Sequence, residues 1–495
     1  MNLAQPILNH ARSQPEAVAL IDGERSLTYR ELAATVLRTC SHLASLGVQP
    51  GHRVGLRLKE TWAHVVVLLA VARMGAVAVQ IDWRSRLAET ARIAGALELT
   101  LVLVESDDAC ALDCPVVGLD AGWQQRVSAE DLPSGLPSDG QAPFVISQTS
   151  GTTGAPKFVQ VTHLQYYFAT LTLIDFVALP RHCRYLSTLP LFFSGGLRGC
   201  MAHLLRGDCV ILYPPLFSAR EYVAAATGYR ATVGFVVPTV VRQLLEIADG
   251  SGHLLRGMDA LLCTGAPMFP DEKREAARKL TPNFYDQYGT AAIGGISMLR
   301  PSDIAEQAES VGQPHPLVEI EMVDESDRPV PPGVVGRIRC RGPGLGSGIS
   351  GPSGWESAAE GFHDGWSYTG ELAAIDELGY IFIKGRVSDV IMSGGAKIYP
   401  GEIEAVLQDH PAVAEAAVVG CRTPANEEVA VAFVVARRPV DVAELMAHCR
   451  VRLTSYRIPR EIRLAAQLPR NSVGKVNKLD LTKRFAASDR RDSQA

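Results

Sequence analysis

The sequence lacks several features that define large classes of protein. Its 48 basic and 53 acidic residues give a net charge of -5, and they are spread along the chain without a basic stripe. The electrostatic footprint of a nucleic-acid-binding protein is therefore missing, and we expect no nucleic-acid partner. The 44 glycines and 30 prolines are ordinary usage for a chain of 495 residues. Collagen-like and linker-like chains are excluded on this ground.

Metal-binding and membrane-spanning patterns are also scarce. The ten cysteines include no CxxC pair, and Cys110 with Cys114 has no matching His or Cys pair at zinc-ligand spacing. We therefore expect buried thiols in a reducing compartment. The N-terminal residues show no export signal. The most apolar stretch, Val65 to Val79, is interrupted by Arg73 and falls short of the roughly 20 residues that span a bilayer, so it predicts a buried helix, no membrane span and a cytoplasmic protein.

What the chain does contain is enough apolar sequence for a large core. Hydrophobic residues make up 47% of the chain and charged residues 20%, which is typical of a globular protein of two or three units. Near the start, Thr28 and Glu31 have the spacing of a capping box ahead of an amphipathic pattern, and Gly47 follows it. This segment predicts a helix with both ends marked.

The order of predicted elements indicates the fold class. From about residue 144 to 300, short apolar runs alternate with helical patterns, for example 233–237 before 239–247 and 260–263 before 271–280. Such alternation predicts a layered α/β fold. Between about 310 and 385 the runs become short and β-prone, and the last hundred residues have the pattern of a small α+β unit. We therefore predict a large N-terminal α/β domain over 1–385, including a β-rich subdomain at about 310–385, a hinge at 386–390, and a C-terminal α+β domain over 391–495.

One segment concentrates phosphate-binding groups. It follows the probable strand 144–146 and reads Thr149-Ser150-Gly151-Thr152-Thr153-Gly154-Ala155-Pro156-Lys157. Hydroxyls and unhindered glycine amides can surround phosphate oxygens while a lysine supplies a point charge. The pattern differs from a Walker A loop, which ends in GKS or GKT. A flexible Ser/Thr/Gly surface loop is the structural alternative.

Four further motifs follow along the chain, and their order resembles that of a known enzyme family. They are YGT at 288–290, YTGE at 368–371, GRVSD at 385–389 and PRNSVGK at 469–475. With the segment 149–157, they make the chain similar to the adenylate-forming enzymes, which include acyl- and aryl-CoA synthetases, adenylation domains of nonribosomal peptide synthetases, and luciferases. The resemblance runs from Tyr29 to about Leu481. It implies that a carboxylate attacks the α-phosphate of ATP, that pyrophosphate leaves, and that a thiol then takes the acyl group.

The resemblance also implies a role for individual residues. Lys475 would bridge the carboxylate and the α-phosphate as the catalytic lysine, Tyr288 would stack on adenine, and Glu371 would accept both ribose hydroxyls. The further ATP-binding residues would be Thr149, Ser150, Gly151, Thr152, Thr153, Gly154, Lys157, Gly265, Ala266, Pro267, Asp286, Gly289, Thr290 and Arg386. The acyl pocket would be lined by Phe193, Gly195, Val237, Thr264 and Ile293. The C-terminal domain would be mobile, pivoting at Ser388 and presenting Gly394 and Gly395 to the thiol, although two glycines beside a hinge equally suit a tight turn.

The sequence departs from the family pattern at several positions. Where members usually carry Thr-Glu after the Tyr-Gly-x triplet, this chain has Ala291 and Ala292, so the carboxylate that would bind magnesium is absent and we predict no protein metal ligand. Phe193 stands where CoA synthetases mostly have a histidine. Ser194 stands where adenylation domains for amino acids place an aspartate, which disfavours a free α-amino acid. Glu371 replaces the commoner aspartate, and Ser388 replaces the usual pivot residue.

These observations predict an ATP-dependent acid:CoA ligase that uses ATP, magnesium and CoA to activate an aryl or modest aliphatic carboxylic acid. Two alternatives stay open at this point. An acyl-adenylating enzyme could load the phosphopantetheine of an acyl carrier protein instead of CoA. A nucleotide- or acyl-binding homologue could have lost catalysis, as Ala291 and Ala292 would suggest.

Overall fold

The computed structural model describes residues 2–105, 112–131, 139–149, 157–177, 179–215, 217–250, 252–350, 361–393, 396–423, 427–470 and 476–483, with the backbone alone for Thr149, Lys157 and 347–350. The chain divides into two compact units, which are described separately. The first comprises Met1–Ile320 with Cys340–Ser367, and the second comprises Glu321–Arg339 with Tyr368–Ala495.

The helices and strands of the described residues are named in chain order. The helices are α1 Gln5–Ser13, α2 Tyr29–Ser45, α3 Trp62–Arg73, α4 Leu87–Ala96, α5 Ala121–Ala129, α6 His163–Ile174, α7 Ser194–Arg206, α8 Ala219–Gly228, α9 Pro238–Ile247, α10 Pro270–Glu275, α11 Ile304–Gln307, α12 Pro400–Gln408 and α13 Val442–Arg452. A π-helical segment, Ala276–Leu280, continues α10, and 3₁₀ turns cover Val387–Asp389 and Ser455–Arg457.

The strands are β1 Val18–Asp22, β2 Arg25–Thr28, β3 Arg53–Arg57, β4 Val77–Gln80, β5 Leu101–Val104, β6 Val116–Gly118, β7 Pro143–Thr149, β8 Lys157–Thr162, β9 Arg184–Ser187, β10 Cys209–Leu212, β11 Val233–Val236, β12 Ala260–Thr264, β13 Phe284–Thr290, β14 Gly294–Leu299, β15 Gln313–Pro314, β16 Glu319–Val323, β17 Gly336–Arg341, β18 Ser347–Ser350, β19 Phe362–His363, β20 Trp366–Ile375, β21 Ile381–Arg386, β22 Ile391–Ser393, β23 Ala396–Ile398, β24 Val413–Arg422, β25 Glu428–Ala436 and β26 Glu461–Leu464.

Two large sheets organise the first unit. One has the order β15-β14-β13-β12-β11-β9-β10-β1-β2, and the other has the order β18-β8-β7-β4-β3-β5-β6. In the first sheet the neighbours from β13 to β10 all run parallel, and in the second β7, β4, β3, β5 and β6 do so. Parallel strands that are covered on both faces have continuously apolar sequences. Strands β5, β10 and β11 are of this kind, and every residue in them is buried. The predicted layered α/β fold is confirmed.

Helix α3 lies at the centre of the largest hydrophobic cluster. It is apolar on all sides, and it packs against β1 of one sheet and against β3 and β4 of the other. The predicted helix over Val65 to Val79 is wrong in its second half. Helix α3 ends at Arg73, Gly75 adopts φ +74°, and the chain re-enters the sheet as β4 from Val77. Because both elements are fully buried, apolar content alone did not mark the boundary.

The capped helix near the N-terminus is confirmed as α2. The Glu31 backbone N–H donates to Thr28 Oγ1 at 3.2 Å, and the Thr28 N–H donates back to a carboxylate oxygen of Glu31 at 2.8 Å. Gly47 follows the helix with φ +84°, a conformation that favours glycine. No helix of the described residues is long and apolar enough to cross a bilayer.

The second unit contains the C-terminal α+β structure. Strands β24, β25 and β26 form one sheet, and α12 and α13 pack beside it around Ile403, Leu407 and Leu445. Outside this C-terminal structure, a small sheet has the order β16-β17-β20-β19, with β21 paired to β20. These short strands correspond to the predicted β-rich segment at about 310–385. The domain boundary after 385 and the hinge at 386–390 stay predictions.

Two fully buried histidines make the first unit sensitive to acid. His163 begins α6, and its Nδ1 accepts the backbone N–H of Leu3 at 3.2 Å, while His64 on α3 lies 3.0 Å from the amide oxygen of Gln80. Burial lowers the pKa of both imidazoles to about 4. Protonation of His163 would also remove the acceptor that holds the N-terminal segment.

We expect stability to fall between pH 7 and pH 5. The unfolded chain binds a proton at each of these histidines below a pKa of about 6.5, whereas the folded chain does so only near pH 4. Stability is therefore complete above pH 7 and is lost by about 2 kcal/mol per histidine on lowering the pH to 5. Urea unfolding at both pH values should show His163→Gln losing about half of this dependence. Equal slopes for wild type and His163→Gln would contradict the assignment.

Candidate nucleotide and acyl site

Four adjacent strands end at one edge of the first sheet. Strands β9, β11, β12 and β13 run parallel in that spatial order, so their carboxyl ends lie side by side. In open α/β sheets, ligands bind in the crevice outside such strand ends. The segments that follow these strands carry predicted site residues, namely Phe193 after β9, Val237 after β11, Gly265 after β12, and Tyr288 near the end of β13.

Two of these strand ends are in direct contact. Gly265 directly follows β12 with φ +94°, and its Cα faces Val237, since a Cβ built on it would lie 3.6 Å from Val237 Cγ1. Thr264 donates its hydroxyl to the carbonyl of Gln287 on β13 at 2.9 Å. Ala266 and Pro267 are exposed beyond the strand end. The structure therefore brings together the residues predicted for the adenine edge and for part of the acyl pocket.

The YGT motif ends β13, and a tight turn over 291–293 leads from it into β14. The antiparallel register shifts between Tyr288 and Gly289, and Thr290 pairs with Gly294. Gly289 approaches the Gly294 carbonyl so closely that no Cβ could be accommodated. Tyr288 is half-buried and packs against the cluster that contains Ile293, which is 1% exposed. Close contact between the two strands thus fixes the position of the turn, and Ile293 on the turn belongs to a buried apolar cluster.

Asp286 has a partner that the sequence analysis missed. Its carboxylate lies 2.7 Å from Lys273 Nζ, and both side chains are almost fully buried. Lys273 also donates to the Ser310 carbonyl at 2.8 Å. The ATP-binding role of Asp286 stays a prediction, because its carboxylate is engaged in this ion pair beneath β13.

The start of α7 carries two further residues predicted for the acyl pocket, Phe193 and Gly195. Phe193 is the residue before the helix and is half-buried, and its ring lies against Gly195. Gly196 abuts the carbonyls of Leu189 and Pro190, which leaves no room for a side chain. The predicted residues Phe193 and Gly195 are therefore in contact.

Arg198, one turn further along α7, was also missed. Its guanidinium donates to the carbonyls of Thr290 at 3.3 Å and Ala291 at 3.1 Å, so it ties α7 to the turn that follows Tyr288. The sequence did contain a signal for Arg198, because it is the one charged residue in the segment 195–202, whose other residues are apolar or small.

Only the frame of the predicted phosphate loop is described. Strands β7 and β8 are antiparallel, and Thr149 pairs with Lys157 through the backbone. Ser150, Gly151, Thr152, Thr153 and Gly154 lie outside the described residues, and so do the side chains of Thr149 and Lys157. The two strands that flank this segment therefore form an antiparallel pair within the second sheet.

In the second unit, the predicted ribose-binding residue meets another predicted residue. Glu371 on β20 pairs with Arg386 on β21, and their side chains approach to 3.6 Å. The Glu371 side chain is 15% exposed and that of Arg386 is 37% exposed. An arginine beside a carboxylate can fix its orientation, so this pair presents a positioned acceptor.

The predicted hinge and catalytic residues are described in part. Ser388 donates to Asp389 at 2.9 Å, and Asp389 lies 3.6 Å from Lys478, which also contacts Glu404 at 2.8 Å. Gly394, Gly395 and Lys475 lie outside the described residues. An antiparallel bridge between Arg470 and Val476 holds together the two ends of the segment that contains Lys475.

Protein ligands for a metal ion do not cluster in the described part of the chain, where no three His, Cys, Asp or Glu residues form a suitable group. The turn after Tyr288 supplies the methyl groups of Ala291 and Ala292. The phosphates of a nucleotide bind magnesium well and can supply oxygen ligands themselves.

Comparisons with known proteins extend over both units. Residues 7–349 match the AMP-binding enzyme family, and residues 402–475 match the AMP-binding enzyme C-terminal domain. Feruloyl-CoA synthase from an Amycolatopsis species is 33% identical over 494 residues, covering 97% of this chain and 98% of that protein. The 2-succinylbenzoate–CoA ligase of Bacillus licheniformis is 30% identical over 478 residues, covering 94% of this chain and 96% of that protein.

A solved structure also matches this chain over nearly its whole length. The o-succinylbenzoate CoA synthetase from Bacillus subtilis, in complex with its acyl-adenylate intermediate, matches with a TM-score of 0.86 at 27% identity, covering 96% of this chain and 97% of that chain. The chain therefore belongs to the AMP-binding enzyme family, as the ordered motifs predicted. It is an enzyme of the AMP-forming acyl-CoA synthetase type.

Proposed function

We propose that this chain is an ATP-dependent aryl acid:CoA ligase. The observation that carries the proposal is the edge of the first sheet, where Val237, Gly265 and Tyr288 follow adjacent parallel strands beside the start of α7. This edge offers an aromatic ring and open backbone for a nucleotide next to apolar walls for an acid. The relatives named for ferulate and 2-succinylbenzoate support an aromatic acid as the substrate.

The reaction has two steps. In the first, a carboxylate oxygen of the acid bonds to the α-phosphorus of ATP while the bond to pyrophosphate breaks. In the second, the CoA thiol loses its proton, its sulfur bonds to the acyl carbon, and AMP leaves. Both steps pass through crowded negative charge, so positioned cations and backbone donors supply most of the rate enhancement.

Each proposed residue has a role in these steps. Tyr288 and the segment 265–267 would hold adenine, the segment 149–157 would hold the β- and γ-phosphates, and Glu371 would accept the ribose hydroxyls with Arg386 orienting it. Lys475 would contact the carboxylate and the α-phosphate as charge develops. Magnesium would enter with the phosphates of ATP and neutralise their charge there. Ser388 would be the pivot that exchanges the adenylating and thiol-accepting poses.

The acceptor thiol and the location complete the proposal. CoA is favoured as the acceptor because two relatives that match this chain over nearly their whole length are named as a CoA synthase and a CoA ligase. We propose a cytoplasmic location because ATP and CoA are held inside cells, and because the described cysteines are free and, apart from Cys114, buried thiols.

The acceptor can be tested by product analysis. Enzyme, MgATP and ferulate or 2-succinylbenzoate are incubated with CoA, with a phosphopantetheine-loaded acyl carrier protein, or with neither. We expect acyl-CoA, AMP and pyrophosphate in equal amounts with CoA, and at least tenfold less acyl transfer to the carrier protein. Faster transfer to the carrier protein would favour the carrier-loading alternative. ATP binding without any pyrophosphate release would favour a homologue that has lost catalysis.

A further inference from the structure

Arg198 places a buried positive charge on α7, one turn after Gly195 and against the turn that contains Ile293, two residues predicted for the acyl pocket. The residue is 7% exposed, and two of its guanidinium nitrogens donate to the carbonyls of Thr290 and Ala291. The guanidinium carbon also lies 5.6 Å from the ring centroid of Tyr166 on α6. Three elements, α6, α7 and the turn after Tyr288, therefore meet at this side chain.

The charge is not neutralised within the described part of the chain. No carboxylate there forms an ion pair with Arg198, and burial lowers the pKa of its guanidinium. Backbone carbonyls satisfy two of its nitrogens but carry no net charge. Removing a cation from water without an anionic partner is costly, so buried charges in proteins are normally paired.

Polar atoms around the guanidinium also lack partners. Arg198 Nε, the Tyr166 hydroxyl and Thr290 Oγ1 are shielded from solvent, and none of them has a hydrogen-bond partner among the described residues. Each unsatisfied buried group costs about 1–3 kcal/mol. The unpaired cation and the two hydroxyls therefore form a set of groups that an incoming anion would satisfy together.

The chemistry of the set indicates the kind of anion. Both terminal nitrogens of Arg198 already donate to carbonyls, but each carries a second hydrogen, and the Nε–H has no partner. The planar guanidinium can therefore still offer two adjacent N–H donors, which match the two oxygens of a carboxylate. The Tyr166 hydroxyl and Thr290 Oγ1 can each donate one further bond to the same group. The carboxylate that is activated must reach the nucleotide, so the carboxylate that meets Arg198 would be a second one on the same acid.

We propose that Arg198, with Tyr166 and Thr290, recognises a second carboxylate on the aromatic acid, which makes this enzyme selective for dicarboxylic acids. This inference rests on the proposed function, and it narrows the substrate class from aryl acids to aryl acids with two acidic groups. Arg198 then acts as a specificity residue in the acyl pocket.

The test uses acids that differ only by the second carboxylate. Cinnamate is compared with 3-carboxycinnamate and 4-carboxycinnamate, and kcat/KM for acid-dependent pyrophosphate release is measured for wild type, Arg198→Met and Arg198→Lys. We expect wild type to prefer one of the dicarboxylates by at least tenfold. Arg198→Met should lose this preference, while Arg198→Lys should retain part of it because the charge remains without the planar fork.

Two further variants guard against a purely structural effect. Arg300→Met is the matched control, because Arg300 is exposed, lies 5.8 Å from the Phe176 ring, and follows the opposite end of β14. It should leave the preference unchanged. If Arg198→Met does not fold, Tyr166→Phe removes only an unpartnered hydroxyl, and it should reduce the preference about threefold to tenfold without loss of thermal stability.

The outcomes separate the inference from the proposed function. Pyrophosphate release with cinnamate as the preferred acid, or an unchanged preference in Arg198→Met or in Tyr166→Phe, overturns the inference and leaves the proposed function standing. Weaker MgATP binding by Arg198→Met at an unchanged acid preference would also overturn it, because the charge would then serve the nucleotide. If no acid of any kind supports pyrophosphate release, both the inference and the proposed function are overturned.

Discussion

Replacement of Lys475 by alanine should slow acyl-adenylate formation by about 10²–10³-fold, which is the usual cost of removing one group that stabilises developing charge in a transition state. The family resemblance implies that this lysine would bridge the attacking carboxylate and the α-phosphate. The measurement is pyrophosphate release in a single turnover with MgATP and a saturating acid. A loss of less than tenfold would contradict the role of Lys475.

The second half-reaction provides an internal control for the same variant. If the C-terminal domain changes pose after adenylation, Lys475 leaves the site before the thiol attacks. Transfer from chemically prepared acyl-adenylate to CoA should therefore fall less than tenfold in Lys475→Ala. Lys483→Ala, eight residues later and exposed, should leave both half-reactions unchanged. Equal losses in both steps would indicate a folding defect instead of a chemical role.

Replacement of Lys273 by methionine should lower the free energy of unfolding by about 3–5 kcal/mol, because it leaves the Asp286 carboxylate buried without its partner. The two charged atoms are 2.7 Å apart, and the side chains are 2% and 6% exposed. The variant also removes the donor to the Ser310 carbonyl. Urea unfolding of the first unit measures the effect, and a loss below 1 kcal/mol would contradict the ion pair.

A double variant tests whether the pair serves stability alone. Lys273→Met combined with Asp286→Leu removes both charges and fills the same space, so most of the lost stability should return. MgATP affinity of this double variant then reports on the predicted ATP-binding role of Asp286. An unchanged affinity would remove Asp286 from the nucleotide site, and a tenfold loss would retain it.

Local patterns in the sequence predicted much of the fold. The capping box at Thr28 and Glu31 depends on residues three apart, and α2 begins where it predicts. The alternation of strands and helices around 233–247 and 260–280 was likewise local, and β11, α9, β12 and α10 follow it. The boundary between α3 and β4 was missed because burial on all sides removes the periodicity that distinguishes a helix from a strand.

The site likewise contains residues that local sequence patterns reveal and contacts that they do not. Its motifs could be found because each is a short contiguous segment, and the carboxyl ends of neighbouring strands bring several of them to one edge. The pairs Lys273–Asp286 and Arg198–Thr290 join residues 13 and 92 positions apart, and nothing in the local sequence of either partner marks the other. Such contacts are set by strand order and helix packing, so they required the three-dimensional structure.

The most direct test of the account is pyrophosphate release from MgATP across a panel of aromatic and aliphatic carboxylic acids, first without a thiol and then with CoA. The account predicts release that depends on the acid, is largest for aromatic acids, and is accelerated by CoA with formation of the acyl thioester. Release from no acid, despite measurable ATP binding, would contradict it and would show that the chain with Ala291 and Ala292 no longer performs the chemistry of its family.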